Sequence, residues 1–482
     1  AAAAAASPAA RCARGAVGQP GAMAAAAQSV RKRRLKHAET ATGWELSAAE
    51  HGDPAAVLCE AVVLVMVGLP ARGKSYICNS LLRFLRLQGV RAQIFNAGNL
   101  RRETGHAGES ADFFSASNEE AKALRETLAM QCTETLLEWV FAAPPGVSSL
   151  AVLDATNTTA ARRRRVLERC QAAVEQHEGQ ANLPLLRVIF LESICDDPRM
   201  LQANYNLKLL NNDYKGATAD EALADFKARV QAYEDQYEPL DDAELEFPGA
   251  AGHLALGSIR VINGGTKLQF CQLGHSLTLM MVAGYLQCTH LTQRRIILVQ
   301  EHAVDAAALE RLLLEAEARD EGRPADVLCG ASRGAALLAR ELGTRLAAAA
   351  SQGGEEGQGP RRAILTLRQL EARLGCKRLS TEEQHARDEE VADESFKDLI
   401  ARMRSVLYMI ERLPRSMVIV CPNGEVERVL LAHFRGCPEG VEPADLPLPE
   451  GPVVELRRDH KGYSLHEAPL PAAEPEEAAQ PP

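Results

Sequence analysis

The sequence predicts an α/β protein built on parallel sheets and laid out as two successive domains. Apolar runs at 61–67, 92–96, 150–154 and 186–191 alternate with helical patterns, as in a sheet covered by helices. A second alternating series follows, with apolar runs at 296–300, 325–329 and 417–421. The length of 482 residues suits roughly two to four domains of about 100–200 residues each.

Taken in order, residues 1–55 read as a disordered segment, Ala-rich and basic. The first 38 residues carry no acid and include RKRRLK at 31–36. A transit peptide has a similar composition, although serines are few here, and Met23 is an alternative start. The run from Ala61 to Val67 lacks polar alternation, so both faces of that strand should be covered. It breaks on GLPARGKS, after which Ile77, Leu81, Leu82 and Leu85 recur at helical spacing. The last helix of this domain should span about 219–237, with a capping box from Thr218 to Glu221 and a stop before Pro239. Pro239 to Gly257 reads as a linker, which sets the domains at 56–248 and 249–466. SQGGEEGQGP at 351–360 reads as a low-complexity loop, and the Pro/Glu/Ala tail from 467 as solvated chain. No fixed-period repeat is present.

The charge balance, 54 basic against 64 acidic residues for a net of -10, argues against a nucleic-acid binder that relies on global positive charge. Small anionic ligands would need local basic clusters. Twelve cysteines without a C-x-x-C pair or metal-ligand spacing point to reduced thiols in a cytosol-like compartment. No apolar stretch approaches the roughly 18 residues of a membrane span.

The break at GLPARGKS is a matter of phosphate chemistry. Gly68, Gly73, Lys74 and Ser75 fit G-x-x-x-x-G-K-[ST] between a strand and a helix, the order that a P-loop needs. Glycines let backbone N–H groups converge on an anion at a helix N-terminus. Lys74 adds charge for the β- and γ-phosphates, and the Ser75 hydroxyl can ligate Mg²⁺. The alternative is a glycine-rich turn that merely caps a helix.

Other polar residues speak for an acceptor. AVLDATNTT at 151–159 ends a strand in Asp154, whose carboxylate could hold the Mg²⁺ shell or accept a hydroxyl proton. Thr156 and Asn157 add short hydrogen-bonding groups, as an ordinary Asx or Ser/Thr turn also would. FNAGNLRRE at 95–103 carries Arg101 and Arg102 just past a strand end, where open α/β sheets bind ligands. Arginines beyond the nucleotide loop suggest a phosphorylated acceptor, although a lone arginine is as readily a solvated one. Of the four arginines at 162–165, at most one or two can face a pocket, because contiguous positions point around a helix.

These stretches resemble the bifunctional 6-phosphofructo-2-kinase/fructose-2,6-bisphosphatase family. GLPARGKSYI, FNAGNLRRE, DATNTT, FLESICDDP, LKLLNNDY and RVQAYEDQYEPLD follow the family order over residues 62–241. The resemblance implies a P-loop kinase domain followed by a phosphoglycerate-mutase-like domain in a cytoplasmic homodimer. It implies that Lys74 and Ser75 serve ATP and Mg²⁺, and that Asp154 and Cys195 stand where the family has its active-site Asp and Cys. Fructose 6-phosphate contacts carry over as Arg101, Arg125, Thr156, Arg162, Lys208, Arg229 and Tyr233. Asn204 and Lys208 match the nucleotide-contacting segment, with one residue fewer between Cys195 and Lys208. Leu100 stands where the family usually has Tyr, and FFSASN at 113–118 lacks the Arg or Pro often found there.

The second half departs from the pattern. A histidine phosphatase needs a nucleophilic His flanked by arginines. The family's L-C-R-H-G-E strand corresponds to ILVQEHAV at 297–304, so Gln300 and Glu301 replace the Arg-His pair, and His302 follows one place later. The second His falls at Pro422, Arg333 is the match to one pocket arginine, and no convincing catalytic Glu appears in LRQLEARLG at 367–375. The expectation is a kinase with an inactive phosphatase half, retained for dimerisation or regulation. A nucleotide-binding pseudoenzyme and a P-loop kinase for another phosphorylated or nucleic-acid acceptor are the competing readings.

Overall fold

The computed structural model describes residues 60–144, 147–179, 183–209, 212–214, 218–247, 253–289, 294–320, 322–330, 332–352, 363–370, 395–438, 441–458 and 462–468. The strands are β1 (Glu60–Val67), β2 (Arg91–Asn96), β3 (Ser149–Asp154), β4 (Leu185–Ile194), β5 (Leu254–Ile262), β6 (Lys267–Cys271), β7 (Arg295–Gln300), β8 (Asp326–Gly330), β9 (Ile364–Leu367), β10 (Met417–Cys421), β11 (Val453–Arg458) and β12 (Tyr463–Ala468). The α-helices are α1 (Lys74–Leu87), α2 (Ala97–Glu103), α3 (Glu119–Phe141), α4 (Ala160–Gln176), α5 (Pro198–Leu209), α6 (Ala219–Glu234), α7 (Leu277–Leu286), α8 (Ala306–Arg319), α9 (Arg333–Gln352), α10 (Phe396–Arg412) and α11 (Gly424–Arg435).

The strands make two six-stranded sheets, ordered β2-β3-β1-β4-β5-β6 and β12-β11-β7-β10-β8-β9. In the first, β1 lies between β3 and β4 and is parallel to both. Alternate β1 residues enter opposite cores: Val63, Val65 and Val67 face the layer that includes Leu136 and Val166, whereas Val62, Leu64 and Met66 face Ile77, Leu81 and Leu85 of α1. That two-sided burial explains the unbroken apolar run. The second sheet repeats the arrangement, with Ile296 and Leu298 turned to α10 and α11 and Ile297 and Val299 to α8 and α9. Side-chain caps start several helices: Asn118 receives the Ala121 N–H, Ser276 the Leu279 N–H, and Thr218 with Glu221 forms the expected capping box.

The sheets depart from all-parallel in one way. β5 is parallel to β4, but β6 returns antiparallel to β5, and in the second sheet β11 runs antiparallel to β7 and β12 to β11. The expected linker and the boundary at 248/249 also shift. β5 begins at Leu254, inside the proposed linker, and belongs with β6 to the first sheet. The described residues form one compact unit, and α1 packs against α11 within it. Glu467 and Ala468 lie in β12 and not in a free tail. The segment at 1–55, most of the loop at 351–360 and residues 469–482 lie outside the described residues. No helix among the described residues is long and apolar enough to cross a membrane.

Candidate active site

Four strands of the first sheet end at one edge, and their exits supply the candidate groups. β1 leads into residues 68–73, where Gly68 and Gly73 adopt φ of 130° and 86°. A Cβ on Gly68 would lie 2.6 Å from the Ser193 carbonyl oxygen, so a side chain is excluded there. The DATN stretch clamps this turn from the β3 side. The Gly68 N–H donates to the Thr156 carbonyl at 2.9 Å, and the Asn157 amide donates to the Met66 carbonyl at 2.8 Å. Asn157 takes a left-handed φ of 44°, which Asn tolerates better than most residues.

Lys74 opens α1 and is buried, its Nζ donating to the carbonyls of Gly68 at 2.8 Å and Leu69 at 2.5 Å. Burial pulls its ammonium down to about 7; Asp154 opposes that shift and Lys208 adds to it. Lys208, in the last turn of α5, is also lowered, first by burial, with Asp154 pulling the other way. Asp154 pairs in register with Asn96 across β3 and β2, and the Asn96 amide donates to its carboxylate at 2.5 Å. Lys74, Asp154 and Lys208 thus form one electrostatic group at the strand ends. Ser75 follows Lys74 in the first turn and is half-buried.

A second basic group gathers nearby. One terminal nitrogen of Arg101 is shared between both Asp213 carboxylate oxygens, 2.9 Å to each, while its other terminal nitrogen donates to the His106 carbonyl, and Arg102 and Arg229 reach the same carboxylate at 3.3 and 3.4 Å. Burial alone would raise the Asp213 carboxyl, but the three guanidinium groups hold it below its ordinary value. Phe114 forms the floor: the guanidinium carbons of Arg229, Arg101 and Arg125 lie 3.8, 5.5 and 5.8 Å from its ring centre, and Tyr233 packs beside it. Arg125 also donates to the Phe113 carbonyl at 2.6 Å. Neither Asp213 nor Phe114 was among the sequence candidates. Both lie in quoted family stretches, but a lone acid and a lone aromatic carry no motif.

The remaining candidates sit differently. Arg162 is engaged by Glu126 at 2.5 Å, outside the Asp213 group. Its neighbour Arg163 is fully buried and binds Glu244 with two nitrogens, at 2.8 and 2.7 Å, a structural role. Asn204 donates to the Ala71 carbonyl at 2.9 Å and so supports the loop. Cys195 is buried just past β4; burial raises its thiol and the nearby Arg72 lowers it. No hydrogen bond joins Cys195 to Asp154 among the described residues.

At the matching edge of the second sheet, Gln300 donates to Glu427 at 3.3 Å and Glu301 accepts from the Ser332 hydroxyl at 3.3 Å. Burial raises the Glu427 carboxyl and, with Glu301 nearby, lifts the Cys329 thiol to about 11. His302 and Arg333 are exposed, and Pro422 follows β10 directly. Residues 371–375 of LRQLEARLG lie outside the described residues.

Residues 56–275 match the family model described as 6-phosphofructo-2-kinase. A probable 6-phosphofructo-2-kinase of Schizosaccharomyces pombe is 40% identical over 210 residues, 43% of this chain but only 28% of that protein's length. The Caenorhabditis elegans 6-phosphofructo-2-kinase/fructose-2,6-bisphosphatase is 31% identical over 424 residues, covering 82% of this chain and 84% of the relative. The human 6-phosphofructo-2-kinase/fructose-2,6-bisphosphatase 3 is 30% identical over 388 residues, 77% of this chain and 70% of that protein. With likeness running through both halves and over most of a relative's length, the chain belongs to the 6-phosphofructo-2-kinase/fructose-2,6-bisphosphatase family.

Proposed function

We propose that the first half transfers the γ-phosphoryl group of ATP to the 2-hydroxyl of fructose 6-phosphate, giving fructose 2,6-bisphosphate, and that the second half does not hydrolyse this product. The carrying observation is the gathering of Arg101, Arg102, Arg125 and Arg229 around Asp213 and Phe114, apart from the loop that carries Lys74. A nucleotide needs one phosphate site, whereas a phosphorylated acceptor needs a second. A scaffold that only binds nucleotide has no use for that second cluster.

The residues present fit ATP and Mg²⁺. Lys74 is a buried amine whose hydrogen bonds go to its own loop carbonyls, and a polyphosphate would add an anion in direct contact to the more distant charge of Asp154. The Ser75 hydroxyl and the Asp154 carboxylate are the hard oxygen donors that would hold Mg²⁺. The ion would neutralise phosphate charge. Lys208 would offset charge on the transferring group, Thr156 would orient the sugar, and the arginine cluster would fix its 6-phosphate. In the alternative role, Asp154 would accept the hydroxyl proton instead of holding the ion, with the Asn96 amide fixing its orientation.

For the second half, the support is chemical. A phosphohistidine intermediate needs a neutral imidazole and flanking cations, and Gln300, Glu301 and Pro422 provide neither. A homodimer remains the expectation from the family. The test is to incubate the purified chain with ATP, Mg²⁺ and fructose 6-phosphate and to identify the product by phosphorus NMR. ATP consumption that does not depend on fructose 6-phosphate would reject the reading.

A further inference from the structure

The loop between β1 and α1 is fastened to α6, the helix that carries Arg229 and Tyr233. Ala71 packs on Phe226 and Val230 of α6 and holds a left-handed φ of 58°, which costs a non-glycine residue energy and needs support from its surroundings. The Asn204 amide supplies part of that support at the Ala71 carbonyl. The next residue, Arg72, is buried and commits its guanidinium in two directions. One nitrogen donates to the Pro70 carbonyl at 3.2 Å, within the loop, and another to the Glu234 carboxylate at 3.0 Å, at the last residue of α6. The Ser193 hydroxyl, at the end of β4, donates to the Arg72 carbonyl at 2.6 Å.

Glu234 shares its helix with Arg229 and Tyr233, and a helix moves as a body. A shift of the loop is therefore passed to the face that holds the arginine cluster. We propose that the Arg72–Glu234 pair is a positioning link that sets the donor loop against the acceptor-binding helix and couples nucleotide occupancy to acceptor placement. This rests on the kinase reading above. Phosphoryl transfer depends on alignment, and a misplacement of about 1 Å can cost roughly 100-fold in rate. The link should therefore appear in transfer efficiency more than in the affinity for either substrate.

Glu234→Ala removes the link, and Glu234→Gln keeps an acceptor oxygen without the charge. With ATP and fructose 6-phosphate, Glu234→Ala should transfer about tenfold more slowly, with each KM within about twofold of the parent. The ratio of ATP consumed to bisphosphate formed should rise severalfold, because misaligned phosphoryl groups go to water. Glu234→Gln should fall between the two. That ratio does not depend on the fraction of folded protein, so a purely structural defect leaves it unchanged. Hydrogen exchange gives a readout without any acceptor: Mg²⁺ and a non-hydrolysable ATP analogue should slow exchange in α6 about fivefold in the parent and not in Glu234→Ala. An exchange response lost in Glu234→Ala, in a parent that does not phosphorylate fructose 6-phosphate, rejects the acceptor assignment and keeps the link. An α6 response that is the same in both proteins overturns the link, as does an unchanged ratio with only a lowered melting temperature.

Discussion

Arg101 holds Asp213 through one terminal nitrogen shared between both carboxylate oxygens, 2.9 Å to each, with the two side chains 5% and 4% exposed. Arg102 and Arg229 share that carboxylate, so three cations face one anion and the group keeps an excess of positive charge that suits a phosphate. Removing one partner of a buried pair strands the other, at a cost of about 3–5 kcal/mol. Asp213→Ala should therefore lose stability of that order in phosphate-free buffer. Millimolar fructose 6-phosphate should restore part of it by binding only the folded chain. Urea unfolding with and without the sugar phosphate checks both statements. A variant as stable as the parent would show that the arginines do not depend on this acid.

Lys74 makes nucleotide binding sensitive to pH. Its folded value of about 7 lies below the unfolded value of roughly 10.4, so between these the unfolded chain binds more protons and the stability from this group rises with pH. A bound polyphosphate would raise the value again. At pH 7.5, ATP binding should therefore take up roughly half a proton or more, and affinity should weaken as pH rises further. Calorimetry in buffers of different ionisation heat measures the uptake. Lys74→Met should lose both the uptake and turnover, and an unchanged uptake in that variant would assign it to another group.

The parts of the fold that the sequence revealed are those where one local signal decides. β1, β3 and β10 are buried along their whole length and therefore read as unbroken apolar runs. β6 reads KLQFC on an edge and is largely exposed, while β12 reads YSLHEA, so neither gives such a run, and the antiparallel edges went unseen. β5 was hidden for another reason: LALGSIRVI carries a Gly and an Arg inside it, and Arg260 is held there by Glu192 and Asp242. In the site, the loop around Lys74 was legible because its spacing is chemical. The Asp213 counter-ion and the Phe114 floor were not, because their roles arise only when α2, the turn before α3, the turn before α6 and α6 itself converge in space.

The arginines predicted to bind the acceptor should separate by their present partners. Arg229 lies over Phe114 and shares Asp213 with two other arginines, so its fork is not exclusively committed. Arg229→Ala should raise the KM for fructose 6-phosphate by about 10- to 100-fold, as expected for a lost charged hydrogen bond of roughly 1.5–3 kcal/mol, with the KM for ATP within about twofold. Arg162 is held by Glu126 at 2.5 Å, and Arg162→Ala should have a smaller effect. Steady-state kinetics on both variants decide the order. A larger loss in Arg162→Ala would mean that this pair opens for the substrate.

The second sheet's edge should be silent toward fructose 2,6-bisphosphate. Gln300 is engaged with Glu427, and Glu301 presents a carboxylate where incoming phosphate would meet like-charge repulsion. The full chain, incubated with 2-labelled fructose 2,6-bisphosphate, should release no labelled phosphate and carry no labelled histidine. Labelling that disappears in His302→Ala would overturn this expectation, since His302 is the imidazole next to the lost position.

Phe84 joins the two halves through ring contacts. It is fully buried on α1, stacked on Tyr285 with ring centres 4.6 Å apart and tilted 15°, while Tyr408 of α10 and His433 of α11 close around it at 5.3 and 6.2 Å. Three turns earlier the same helix begins with Lys74, so the packing that seats Phe84 also seats the start of the helix. Phe84→Ala should cost about 3–5 kcal/mol, as a large buried aromatic does when it leaves a cavity. The contact is shared by both cores, so the loss should also split unfolding. The parent should melt in a single calorimetric transition, and Phe84→Ala in two, the lower of which Mg²⁺-ATP shifts upward if it belongs to the half that carries Lys74. Two transitions already present in the parent would show that this aromatic contact joins the halves sterically without making their unfolding cooperative.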